Sequence, residues 1–204
     1  MDFFTLAIIV SIAIYVLKKQ EQRRRTQLLA EYLGRYQIEK LMGGLVEGYL
    51  RALGESDLQR RTQVWALLES TEKSLAEQFQ RFADDFSKVD AEQVRVSTLP
   101  LALPYVDRIY PRGTFDMREM VKIHARGLAA PQVFAAQDDD ERRKRAFALT
   151  AEIFLMQHSC HWFCKSLTVA SVRLLARHQT AYEQVLASVS SATRDAYLRL
   201  IGRA

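Results

Sequence analysis

The chain carries only two cysteines, Cys160 and Cys164, in 204 residues, and their spacing of four does not suit a disulfide within one regular helix. A disulfide scaffold is therefore excluded, and the thiols fit a reducing compartment. Proline is scarce as well, with Pro100, Pro104 and Pro111 gathered in one stretch and a single further copy at Pro131. Long helices are thus open to the rest of the chain. There is no glycine-rich phosphate loop, no GxSxG, no HExxH, no paired CxxC and no CxxCH haem attachment. With no carboxylate arrangement suited to hydrolysis either, no enzyme activity and no small-molecule substrate are expected. Internal repeats and low-complexity segments are also missing.

Excess charge is lacking in most of the chain. The formal net charge is +5, but residues 1–25 hold five basic and two acidic side chains, which leaves +2 for the remaining 179 residues. A nucleic-acid partner is not expected from so neutral a body.

What the chain does have is an apolar run at residues 3–17, FFTLAIIVSIAIYVL, followed directly by Lys18, Lys19, Arg23, Arg24 and Arg25. Secretory signals place positive charge before the apolar stretch and small residues after it, whereas here Asp2 precedes the run and the basic cluster follows. Only Thr5, Ser11 and Tyr15 offer side-chain polar atoms within it, so the polar face of an interfacial helix is missing. The run reads as a single transmembrane helix. Its 15 residues are near the lower limit for a span, and the stems of Lys18 and Lys19 lengthen it by reaching for headgroups. The basic cluster binds anionic lipid and stays cytoplasmic, which puts a short N-terminus outside and the body inside, at the cell inner membrane.

Beyond the anchor the pattern is all-α: one N-terminal transmembrane helix, then a cytoplasmic helical bundle with a long central helix. The chain divides into an anchor and basic segment (1–25), an amphipathic helical hairpin (26–89), an ordered apolar loop with prolines (90–113) and a helical core (114–204), with 26–204 as one folded unit. Apolar positions from Leu29 to Leu53 in the first arm and Val64, Leu68, Leu75, Phe79, Phe82 and Phe86 in the second recur at helical spacing. Gly43, Gly44 and Gly48 are the weak point of the first arm, marking either a kink or a close approach. Ser56 with Gln59 has the form of a capping box, and Thr114 is placed to cap a helix reaching Gly127 or Leu128. Residues 146–175 read as one central helix, and the helix containing them as the longest of the body. Leu99, Leu101, Leu103, Tyr105, Ile109 and Tyr110 are expected to pack over the bundle and to offer a docking surface, as is the face carrying Gly44 and Gly48.

The residues able to carry chemistry cluster in His158-Ser159-Cys160-His161-Trp162-Phe163-Cys164. On a helix Cys160, His161 and Cys164 share a sector of about 100°, with His158 about 60° further round. A metal would need a further ligand from another helix, and His124 is the nearest candidate in sequence. The competing reading is a structural core, in which His124 sits in the stripe of Met117, Met120, Val121 and Leu128 with one nitrogen satisfied. Glu152, inside an apolar run, needs a partner such as Arg173, Arg126 or a histidine. Two functions follow. One is a membrane-tethered scaffold, adaptor or accessory subunit without a cofactor, whose partners are membrane lipid and another membrane protein or a second copy of itself. The other is a membrane-bound metal- or redox-responsive protein using His158, Cys160, His161 and Cys164.

Overall fold

The computed structural model describes residues 3–130 and 138–203. Asp2, used above as a flank of the run, and Pro131 lie outside the described residues. The described chain is mostly helical. A 31-residue helix, α1 (Phe3–Leu33), carries the apolar run and continues without a break through the basic cluster into the body. None of its apolar window is buried, while Leu29 near its end is 5% exposed. Helix α1 therefore runs across the expected boundary at residue 25 without interruption.

The chain turns at Gly34, Arg35, Tyr36 and Gln37 into α2 (Ile38–Gly54), so the first arm is broken here and not at Gly43 or Gly44. Two partners more than 40 residues away hold the elbow. The Tyr36 hydroxyl donates to Asp85 Oδ2 (2.7 Å) and the Gln37 amide donates to Gln78 Oε1 (2.7 Å). Both acceptors lie on α3 (Leu58–Phe86), which packs antiparallel to α2. Its stripe of Leu68, Leu75, Phe79, Phe82 and Phe86 is buried. The N-terminal cap of α3 is Asp57, whose carboxylate accepts from the Arg60 amide, and not Ser56: an aspartate one position later reaches the free amides and also suits the helix dipole. Gly48 permits close approach, since an added Cβ would collide with the Leu68 side chain, whereas nothing lies within 4 Å of one at Gly43 or Gly44. Gly48 is therefore occupied by α3, and of the expected pair only Gly44 remains open.

Residues 90–113 do not form a simple loop. A 3-10 turn leads into β1 (Arg95–Ser97), which pairs antiparallel with β2 (Thr114–Asp116) through Val96 opposite Phe115, and α4 (Val106–Ile109) sits between them. Thr114 opens a strand, and Asp116 caps the next helix by accepting from the Arg118 amide. That helix, α5 (Met117–Ala129), runs into the core. After it comes α6 (Asp139–Cys164), begun by Asp138 accepting from the Glu141 amide, with Asp139, Asp140 and Glu141 in its electropositive first turn.

α6 contacts α1, α2, α5 and α7 (Leu167–His178) as well as α8 (Tyr182–Ser188). It is shorter than expected, for two reasons visible in the chain. Ser166 caps α7 by accepting from the Val169 amide, and the amide and hydroxyl of Thr168 both donate to the Pro100 carbonyl. The helix accordingly ends at Cys164, and α3, at 29 residues, is longer than its 26. α8 was not legible as a separate element. The last helix, α9 (Ser191–Leu200), has Ser190 as its cap and ends before Gly202, whose φ of 70° suits glycine.

Candidate functional site

The last two turns of α6 place the seven-residue cluster between two environments. His158, Ser159, Trp162 and Phe163 are fully buried on the side of the core. His158 Nε2 lies 3.1 Å from Ser171 Oγ, and its ring stacks on Tyr182 at 4.5 Å. His124 comes to the same side from α5, with Nε2 2.9 Å from Ser159 Oγ. Because the Ser159 hydroxyl donates to the Leu155 carbonyl (3.0 Å), Nε2 of His124 carries the proton and donates, which leaves Nδ1 bare. Among the described residues neither His124 Nδ1 nor His158 Nδ1 has a hydrogen-bond partner. Burial therefore holds both imidazoles neutral: His124 is pushed down to about 3, with His158 nearby adding to the effect, and His158 to about 4, with His161 adding.

Cys160, His161 and Cys164 face the other way, onto the elbow between α1 and α2. They line a groove of about 640 Å³ with Leu29, Ala30 and Leu33 of α1, Gly34, Tyr36 and Gln37 of the elbow, and Arg173 of α7. A second cavity of about 330 Å³ extends it past Met42, Gly43 and Val46 to Phe154 and His178, sharing Leu33, Glu39, Cys160 and His161. The helical arithmetic thus separates His158 from the other three as expected. The five candidate ligands do not meet, since His124 and His158 belong to the core and Cys160, His161 and Cys164 to the groove. Among the described residues no three His, Cys, Asp or Glu side chains are arranged to hold a metal. The thiols also stay protonated. Burial pushes Cys160 well up, reinforced by Cys164 and Glu39, and burial likewise raises Cys164. Cys160 Sγ contacts Met156 Sδ at 3.7 Å. Burial, and then Arg173 and Arg177, lower the pKa of His161, so its imidazole is a poor source of positive charge for the thiol.

No protein-family model, no curated protein and no solved structure matches this chain. Its chemistry has to be read from its own residues. Glu152 is 1% exposed and is met by neither Arg173 nor Arg126: its Oε1 accepts from the Ser190 amide (3.1 Å), with Thr193 beside it. Burial raises its pKa, and it ties α9 to α6. The other buried carboxylate among the described residues, Glu72, accepts from the Tyr49 hydroxyl (2.7 Å) and pairs with Arg145, joining α2, α3 and α6.

The basic residues after the apolar run also divide. Lys19, Arg23 and Arg24 are exposed and Lys18 is half-buried. Arg25 turns inward, paired with Glu21 at 2.6 Å and lying over the Phe163 ring at 5.7 Å, so it serves the fold instead of facing lipid.

The loop residues expected to pack do not. Leu101, Leu103, Tyr105, Ile109 and Tyr110 are 63, 51, 42, 80 and 53% exposed, and only Leu99 is half-buried, because Val106 and the strand residues Val96 and Phe115 fill the space beneath them. Sequence reasoning missed a third apolar surface, Val169, Val172 and Leu175 of α7, all exposed. Their spacing of three was visible, but it was absorbed into a central helix that ends earlier than expected.

Proposed function

We propose that this chain is a membrane-tethered helical scaffold or accessory subunit, held by α1 and binding another membrane protein through its body. The observation that carries this reading is α1 itself. One continuous helix presents an unburied apolar window long and apolar enough to cross a membrane, and its second half is built into the body. The domain therefore cannot swing freely on a linker, and its surfaces hold a fixed angle to the anchor. The basic residues following the run favour an outside N-terminus and a cytoplasmic body at the inner membrane. The groove at the elbow is open, more apolar than polar, and close to the anchor, as a docking site for a partner's helix needs to be. Division of the histidines and cysteines between core and groove, with raised thiol pKa values, gives the metal- or redox-responsive reading little support.

The test is gentle detergent extraction of the full chain, with mass and stoichiometry of the extracted species. A defined complex, released by the exposed groove substitution Ala30→Arg while the helical content is kept, is the expected result. A lone monomer with or without the substitution overturns the reading.

A further inference from the structure

On its own, the apolar run of residues 3–17 is shorter than the hydrocarbon layer it is read to cross. At about 1.5 Å per residue it covers about 22 Å of a hydrocarbon layer about 30 Å thick, leaving about 8 Å, or roughly five residues, unfilled. Those five residues are 18–22. The surface that lies against them is the exposed loop: Lys18, Glu21 and Gln22 of α1 share a cleft with Leu101 and Leu103.

We infer that residues 99–110 form a second membrane contact, seated in the bilayer interface beside the span and filling the depth that the short helix leaves open; the inference rests on reading α1 as a span. The loop's composition suits that position. Leu101, Leu103 and Ile109 offer aliphatic surface, and Tyr105 and Tyr110 are amphipathic rings of the kind that settle at headgroup level. Lys18 and Lys19 on α1, the exposed Arg108 of the loop and the exposed Arg112 just beyond it supply positive charge suited to an anionic surface, against Asp107 as the loop's one acidic residue. Arg108 lies over the Tyr105 ring at 5.4 Å, which joins charge and aromatic surface in one unit.

The loop is also held for the purpose. Its backbone is braced at each end: Thr98 donates from both amide and hydroxyl to the Gly113 carbonyl (2.9 and 3.0 Å), and Thr168 does the same to Pro100 (3.2 and 2.8 Å). The Trp162 indole donates to the Ser97 carbonyl (3.0 Å), and Val106 is buried at 6% exposure. Tyr105 takes a left-handed conformation with φ of 56°, which costs energy for a bulky residue, and both its ring and Leu103 are exposed. Apolar side chains fixed outward on a braced backbone, level with the end of a span, have bilayer as their continuous neighbour.

The test uses the full chain in phosphatidylcholine–phosphatidylglycerol vesicles whose acyl chains are brominated near the headgroup or deep in the layer. Tryptophan is introduced singly as Ile109→Trp, as Ile9→Trp within the span and as Leu67→Trp on the distal part of α3, and wild-type emission from Trp65 and Trp162 is subtracted. Bromine near the headgroup is expected to remove about half of the emission added by Ile109→Trp, deep bromine that of Ile9→Trp, and neither that of Leu67→Trp. Quenching of Ile9→Trp with none at Ile109→Trp overturns the loop contact and leaves the span standing. Absence of quenching at Ile9→Trp overturns the span and the loop contact together.

Discussion

Acidification is expected to destabilise this protein, chiefly through two histidines. His124 and His158 are buried with a bare Nδ1, and their pKa values are depressed to about 3 and about 4 from an ordinary 6.5. A depressed folded-state pKa contributes stability that is present above 6.5 and lost as pH falls, because the unfolded chain takes up protons that the folded chain refuses. Between pH of about 6.5 and about 4.5 each histidine then costs about 2 kcal/mol, and the two together about 4 kcal/mol. For a chain of this size that is a fall in Tm of roughly 10 °C. Glu152 works in the opposite direction, since its raised pKa favours the protonated form in the folded state. The assay therefore compares variants: thermal melts of the detergent-solubilised full chain, followed by helical circular dichroism, for wild type and for His124→Gln with His158→Gln. The double variant is expected to lose most of the pH dependence over this range even if it is less stable at neutral pH. An unchanged slope would refute the reasoning, because the protons responsible would then bind elsewhere.

Three further outcomes can be measured by the same melts. Arg145→Met leaves the Glu72 carboxylate buried without its cation and is expected to cost about 3 kcal/mol, with Glu72→Gln in the same background recovering part of the loss. Gly127→Ala would place a Cβ 2.7 Å from Thr193 Oγ1 and closer still to Glu152 Oε2, for an expected loss of about 2 kcal/mol. Gly44→Ala meets nothing within 4 Å in the interior of α2 and is expected to stabilise by up to about 1 kcal/mol, so a loss there would mean the position is not open.

Periodicity made the buried faces legible wherever one helix packs along its length. The stripe of α3, the core position of His124 and the turning of Cys160 and His161 away from His158 all follow from 100° per residue. Breaks were harder to read, because distant partners decide them. The elbow at Gly34 depends on Asp85 and Gln78, and the end of α6 on Ser166 together with a carbonyl contributed by Pro100. The strands are three residues each, too short for alternation to register. The loop misled for a different reason: its apolar residues suggested packing, but Val96, Val106 and Phe115 already fill that space, and only the structure shows the remainder facing outward beside Lys18. The groove was not legible either, since it arises from the angle between α1 and α2, which no local pattern encodes.

The most direct measurement is alkaline carbonate extraction of native membranes containing the full chain, followed by protease treatment of inverted vesicles. Retention in the membrane pellet, with the body digested from the cytoplasmic face and an apolar N-terminal fragment protected, is the expected result. Release into the carbonate supernatant would contradict the membrane tether on which the proposed function stands.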